Sequence, residues 1–126
     1  MTERRFLQLT DLTSYNIALT FNTNVWDLVL NWNNFAKDTV GKQFVRAADS
    51  ISANIAEGFG RYHKKDKIKF YYYSLGSVKE CNDWLLKSIN RSLITEIQYN
   101  ELHQKLEVLP REIHQLIKFT AEKLKE

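Results

Sequence analysis

The chain has 126 residues, 44% of them hydrophobic and 26% charged, a length that one core can organise and a balance far from that of disordered segments. No stretch approaches the roughly 18 apolar residues that span a bilayer, and the opening MTERRFLQLTDLTS lacks an apolar run of signal-peptide length, so a cytoplasmic protein with no membrane partner is expected. Cys81 is the only cysteine and cannot close an internal disulfide; with three scattered histidines it argues against a metal site, and a formal charge of only +3 means that any nucleic-acid role must come from clustered cations.

Four Gly and one Pro are too few for a sheet protein rich in tight turns, whereas long helices need little punctuation. We expect a single domain over residues 1–126 with residues 1–14 as an N-terminal extension. A first helix runs from about Tyr15 to about Phe35, with Ala18, Phe21, Val25, Leu28, Trp32 and Phe35 at steps of three and four. Its many asparagines are poor helix formers, so it must rely on packing. A second starts near Val40 and carries Phe44, Ala48, Ile51 and Ile55; Gly58 or Gly60 would end it in the left-handed conformation. A third spans about Lys64 to Ser92, with Ile68, Tyr71, Leu75, Val78, Leu85 and Ile89 facing inward. Gly76 inside it costs about 1 kcal/mol against Ala and implies either a close approach by another helix or a bend.

Thr95 is the expected N-cap of a fourth helix, whose stripe is Leu102, Leu106, Leu109, Ile113, Leu116, Thr120 and Leu124. Pro110 removes one backbone hydrogen bond from it and predicts a kink or short break. Four amphipathic helices with short connections give an all-α, antiparallel, up-down-up-down four-helix bundle.

Residues 43–61 read QFVRAADSISANIAEGFGR. This stretch, with Phe70, Gly76, Ser77 and Glu80 further on, resembles the signature of the four-helix-bundle proteins first noticed as open reading frames in intervening sequences of bacterial 23S ribosomal RNA genes. The resemblance implies a bundle, assembly into a homopentameric ring or barrel and no known catalytic activity; no cofactor is expected. It also implies a nucleic-acid role, because the accessory variability protein of diversity-generating retroelements is a relative that works beside a reverse transcriptase and its RNA. This chain departs from the family in carrying His63 where Ser or Thr commonly starts the third helix, and Lys64 and Lys67 where less basic residues are usual.

The segment RYHKKDKIK places Arg61, Lys64, Lys65, Lys67 and Lys69 within nine residues, offset only by Asp66. Such a cluster can contact phosphates and displace counterions, although a solvated helix start would look the same. Lysines at a helix N-terminus also oppose the macrodipole by a few tenths of a kcal/mol each. Tyr62 and Tyr72 are the aromatics most suited to stacking on unpaired bases, while the Phe70–Tyr73 run as a whole reads better as core or subunit contact. Arg46, Ser50, Asn54 and Glu57 make a polar stripe, and Ser77 and Glu80 sit one turn apart. Glu57 and Glu80 are carboxylates of the kind that do acid/base work, but without a nucleophile or metal cluster a structural network is the better reading. The expected protein is a homo-oligomeric scaffold binding RNA or a ribonucleoprotein, with no small-molecule substrate. The alternative is a protein-interaction subunit whose cations meet an acidic protein.

Overall fold

The computed structural model describes residues 6–123. Residues 1–5 of the expected extension and Leu124 of the last stripe lie outside them. A single 3-10 turn, Leu9–Asp11, precedes α1 (Thr13–Leu30); α2 (Lys42–Gly60), α3 (Lys64–Asn90) and α4 (Glu96–Lys123) follow. Between α1 and α2 lies a short helical turn, Asn34–Ala36, whose third amide, that of Ala36, donates to the Asn33 side chain at 3.0 Å. A π-helical turn, Lys37–Gly41, then leads into α2.

The helices form the expected antiparallel square. Along α2 and α3, Gly58 faces Tyr71 and Ser74 donates to Ile51 O at 2.8 Å, so the register runs in opposite directions. α1 meets α2 in the same sense, with Asn22 bonded to Ser52 at 2.6 Å and Gly41 against Val29. α1 also touches α4, which closes the square and leaves α1 and α3 on one diagonal. Ala18, Phe21, Val25, Phe44, Ala48, Ile51, Ile55, Val78, Leu85, Leu106, Leu109 and Ile113 fill the centre, each at 1% exposure or less. The apolar stripes read from the 3.6-residue period are thus the core, with one exception. Phe35 is 79% exposed, because α1 stops at Leu30 and the residue falls on the short turn beyond it.

Helix ends differ more. Neither Gly58 nor Gly60 has a positive φ; α2 runs through both and yields to extended backbone at Arg61, φ −76°. The left-handed capping role expected of them is therefore incorrect. Gly58 serves packing instead. A Cβ there would stand 2.7 Å from Tyr71 Cε1 and 2.9 Å from the Lys67 carbonyl oxygen, so the bare Cα lets α3 come against α2. The left-handed residue among those described is Ser92, φ 58°, just past α3. There Leu93 donates to Ser88 O at 2.9 Å and Ser92 to Ile89 O at 3.1 Å, which closes the end of α3 with a Schellman pair. Thr95 caps α4 as expected, its hydroxyl accepting from the Gln98 amide at 3.1 Å while Gln98 Oε1 accepts from the Thr95 amide at 2.9 Å. α4 continues through Pro110 without a break.

Gly58→Ala is expected to lower stability by about 1–3 kcal/mol, because the added methyl meets backbone that cannot turn aside. Gly60→Ala, with no atom within 4 Å of its Cβ, should raise it by roughly 0.4–1 kcal/mol. Urea denaturation of the two variants checks the contrast; equal midpoints would show that the Gly58 contact is slack.

Candidate nucleic-acid interface

The basic segment lies at the end of the bundle where α2 and α4 finish and α3 begins, and its cations divide into two sets. Lys67 Nζ donates to Phe59 O at 2.7 Å, in the last turn of α2, and Lys64 Nζ donates to Ala121 O at 3.1 Å, in the last turn of α4. Helix C-termini carry the negative end of the dipole and carbonyls with no helical donor, so an ammonium is well placed there. The placement that is unfavourable for α3 alone is favourable for its two neighbours. Lys67 also lies 5.5 Å from the centre of the Phe59 ring, and partial burial lowers its pKa from the ordinary lysine value.

The other set points outward. Lys65 and Lys69 are exposed, Lys69 with its ammonium 5.9 Å from the Tyr73 ring centre. Arg61 pairs with Glu57 at 3.1 Å and lies 4.7 Å above the Phe70 ring, which holds its guanidinium at the surface rather than withdrawing it. Tyr62 is 84% exposed in the turn before α3, its ring edge-on to His63 at 5.0 Å. Arg61, Tyr62, Lys65 and Lys69 therefore offer three cations and one free aromatic face at a single end of the bundle. Tyr72 is half exposed but stands about 10 Å further along α3 than Lys65, beside His114, and is not part of this group.

Bonds in the polar stripe run mostly within each helix. Ser50 donates to Arg46 O, Asn54 to Ser50 O and Ser77 to Tyr73 O, while Glu80 accepts from the Trp84 indole at 3.1 Å. Gly58 and Tyr71 face each other, so Glu57 sits at the Tyr71 level and Glu80 lies nine residues further along α3, about 13 Å away. That separation is too great for the two carboxylates to share a reacting atom. Cys81 is fully buried, and burial together with the nearby Glu80 and Asp49 charges raises its thiol pKa, so it behaves as a core side chain. Tyr71 has its hydroxyl pushed up to about 12 by burial, with Thr120 bonding to it in weak opposition. Among the described residues no group of three or more His, Cys, Asp and Glu is placed to hold a metal ion.

A family model described as 23S rRNA-intervening sequence protein matches residues 10–115, a span that takes in the bundle short of the last two turns of α4 and the whole basic segment. The chain belongs to the 23S rRNA-intervening sequence protein family. Among solved structures, a protein of unknown function from the S23 ribosomal protein family of Bacteroides thetaiotaomicron VPI-5482 superposes with a TM-score of 0.73 at 23% identity, covering 82% of this chain and 97% of that one. The likeness agrees with the helical architecture. The search of the curated proteins returns no match.

Sequence reading had no means of separating the two lysine sets, since the acceptors of Lys64 and Lys67 come from helices 57 and 8 residues away in the chain. It also passed over a second apolar stripe on α1, Leu19, Trp26 and Leu30, whose residues are 43%, 53% and 52% exposed. Its signal was present in steps of three and four on the face opposite Ala18, Phe21 and Val25.

Lys67→Gln is expected to cost about 1 kcal/mol of stability, through the lost charge-assisted bond at the end of α2, while Lys65→Gln leaves stability within about 0.5 kcal/mol of the parent. Thermal denaturation of both proteins measures the difference. Equal losses, or none, would refute the capping role.

Proposed function

We propose that this chain is a non-enzymatic, cytoplasmic scaffold subunit that assembles into a homo-oligomer, a pentamer, and binds RNA or a ribonucleoprotein through the end of the bundle that bears Arg61, Tyr62, Lys65 and Lys69. One observation carries the reading. After two lysines have been used to close helix ends, three cations still lie at the surface of the same end of the bundle as Tyr62, which is 84% exposed with its ring edge-on to His63. Cations near an exposed aromatic suit a single-stranded or looped nucleic acid, with phosphates met by charge and a base stacked on the ring. Oligomerisation would multiply that surface in one particle and raise avidity without any new contact. Support for self-association comes from the apolar surface left outside the core, where Trp26, Leu30 and Tyr72 are each about half exposed.

Binding to a labelled single-stranded RNA of mixed sequence should fall steeply as salt rises. Lys65→Gln and Lys69→Gln should each flatten the slope of log K against log salt by about 0.7, and Tyr62→Ala should cost about 1–3 kcal/mol, with melting unchanged in all three. Fluorescence anisotropy across a salt series reads both quantities. If the variants bind with the parent's affinity and slope, the exposed cations do not meet RNA, and an acidic protein surface becomes the partner to seek.

A further inference from the structure

Where α3 meets α4 the surface is indented by a hollow of about 580 Å³, a size that suits a small molecule. Its middle is bordered by the two residue types least suited to a helix interior, Gly76 of α3 and Pro110 of α4. They lie level with one another. Tyr72 meets His114, the two helices run antiparallel, and one turn on from that contact α3 has reached Gly76 and α4 has reached Pro110. No atom of the chain stands within 4 Å of where a Cβ on Gly76 would be, so the close approach expected of this glycine is not made by α4. Its bare Cα provides room at the surface instead.

The walls of the hollow change in chemistry along its length. At one end are two rings, Tyr72 and His114, with centroids 6.5 Å apart and planes 75° apart. A flat ring placed in that corner meets one of them face-on and the other at its edge, both of which aromatic groups favour. Leu75 and Val78 line the middle beside Gly76 and Pro110, so the waist is apolar. Lys79 and Asn82 stand at the far end. Among the described residues Lys79 is the only lysine, arginine or carboxylate on these walls and forms no ion pair; Asp83, one turn on, is held by Lys87 at 2.6 Å. Asn82 Nδ2 donates to Val78 O at 3.2 Å with one of its two protons, which leaves the other to donate.

We infer that this hollow binds an aryl-substituted short-chain acid, its ring against Tyr72 and His114, a few methylenes across the waist at Gly76 and Pro110, and its carboxylate on Lys79 and Asn82. Each part of the hollow selects against a neighbouring class of ligand. An aliphatic acid leaves the aromatic corner unused, and a neutral arene gains nothing from the ammonium. A nucleoside phosphate sets ribose hydroxyls against an apolar waist that offers them no partner. Length agrees as well. Tyr72 and Lys79 are about 10 Å apart along the axis of α3, and a helical lysine leans toward the N-terminus, here toward Gly76, which shortens the gap to the reach of a short chain. The inference does not rest on the RNA reading, because the hollow lies on the side of the bundle and uses none of Arg61, Tyr62, Lys65 and Lys69.

Isothermal titration calorimetry of the full-length chain with 4-phenylbutyrate tests the assignment. The parent should bind the acid with a Kd of about 1 mM or tighter, and 4-phenylbutanol, which lacks the charge, about tenfold more weakly. Lys79→Gln, at an exposed position, should keep the parent's melting, bring the acid down to the alcohol's affinity and leave the alcohol unchanged. Gly76→Leu, which improves the helix and fills the waist, should lose both ligands while melting no lower than the parent. AMP should bind at least about tenfold more weakly than the acid. An absence of binding heat at about ten times the expected Kd, equal affinity of acid and alcohol for the parent, parent-like affinity in Gly76→Leu, or AMP binding as tightly as the acid would each overturn the inference.

Discussion

The close contact of α2 with α3 at Gly58 governs much of what surrounds it. Without a Cβ at that position, the Lys67 carbonyl and the Tyr71 ring come within 3 Å of where one would stand. That approach brings the first turn of α3 beside the last turn of α2, within reach of a lysine side chain, and so allows Lys67 to hold Phe59 O. It also seats Tyr71 deep enough to be 1% exposed, with Thr120 of α4 bonding to its hydroxyl. Two turns further along, Ser74 bonds to Ile51 O and fixes the same register from inside the core. The buried serine thereby ties α3 to α2 across the core instead of bonding back to its own helix, as Ser50 and Ser77 do.

This packing explains why so basic a segment is stable where it is. A run of lysines at the start of an isolated helix would oppose its dipole, but in an antiparallel bundle the start of one helix lies beside the ends of two others. Lys64 and Lys67 use that geometry. The remaining cations gain nothing comparable from the fold: Lys65 is simply exposed, and Lys69 and Arg61 lie over aromatic rings at the surface. The division between structural and available cations removes Lys64 and Lys67 from the candidate interface, and the position of Tyr72 beside His114 removes a third side chain, leaving four of seven.

How much of this could be read beforehand depended on whether the determinant was local. The stripes of all four helices, the Thr95 cap and the ending of α2 near Gly60 were legible, because periodicity and capping act within a few residues. The role of Gly58 was not, since turn-forming and close-packing glycines look alike in a sequence and only the α2–α3 register tells them apart. Phe35 was misplaced because its spacing continued the α1 stripe past the point where Asn31, Asn33 and Asn34 stop the helix. Ser92, an unusual residue for a left-handed position, carried no signal that Gly would have carried. The lysine caps required knowing which helix ends lie together.

The central claim is that the end of the bundle around Tyr62 meets RNA, and ultraviolet cross-linking in living cells addresses it directly. The tagged protein is recovered after irradiation and its nucleotide-bearing peptides are identified by mass. The account predicts adducts confined to the peptides spanning residues 61–69, with Tyr62 the main attachment point. Recovery of the protein without any nucleotide adduct, or adducts only on the α3–α4 turn at the opposite end, would contradict it.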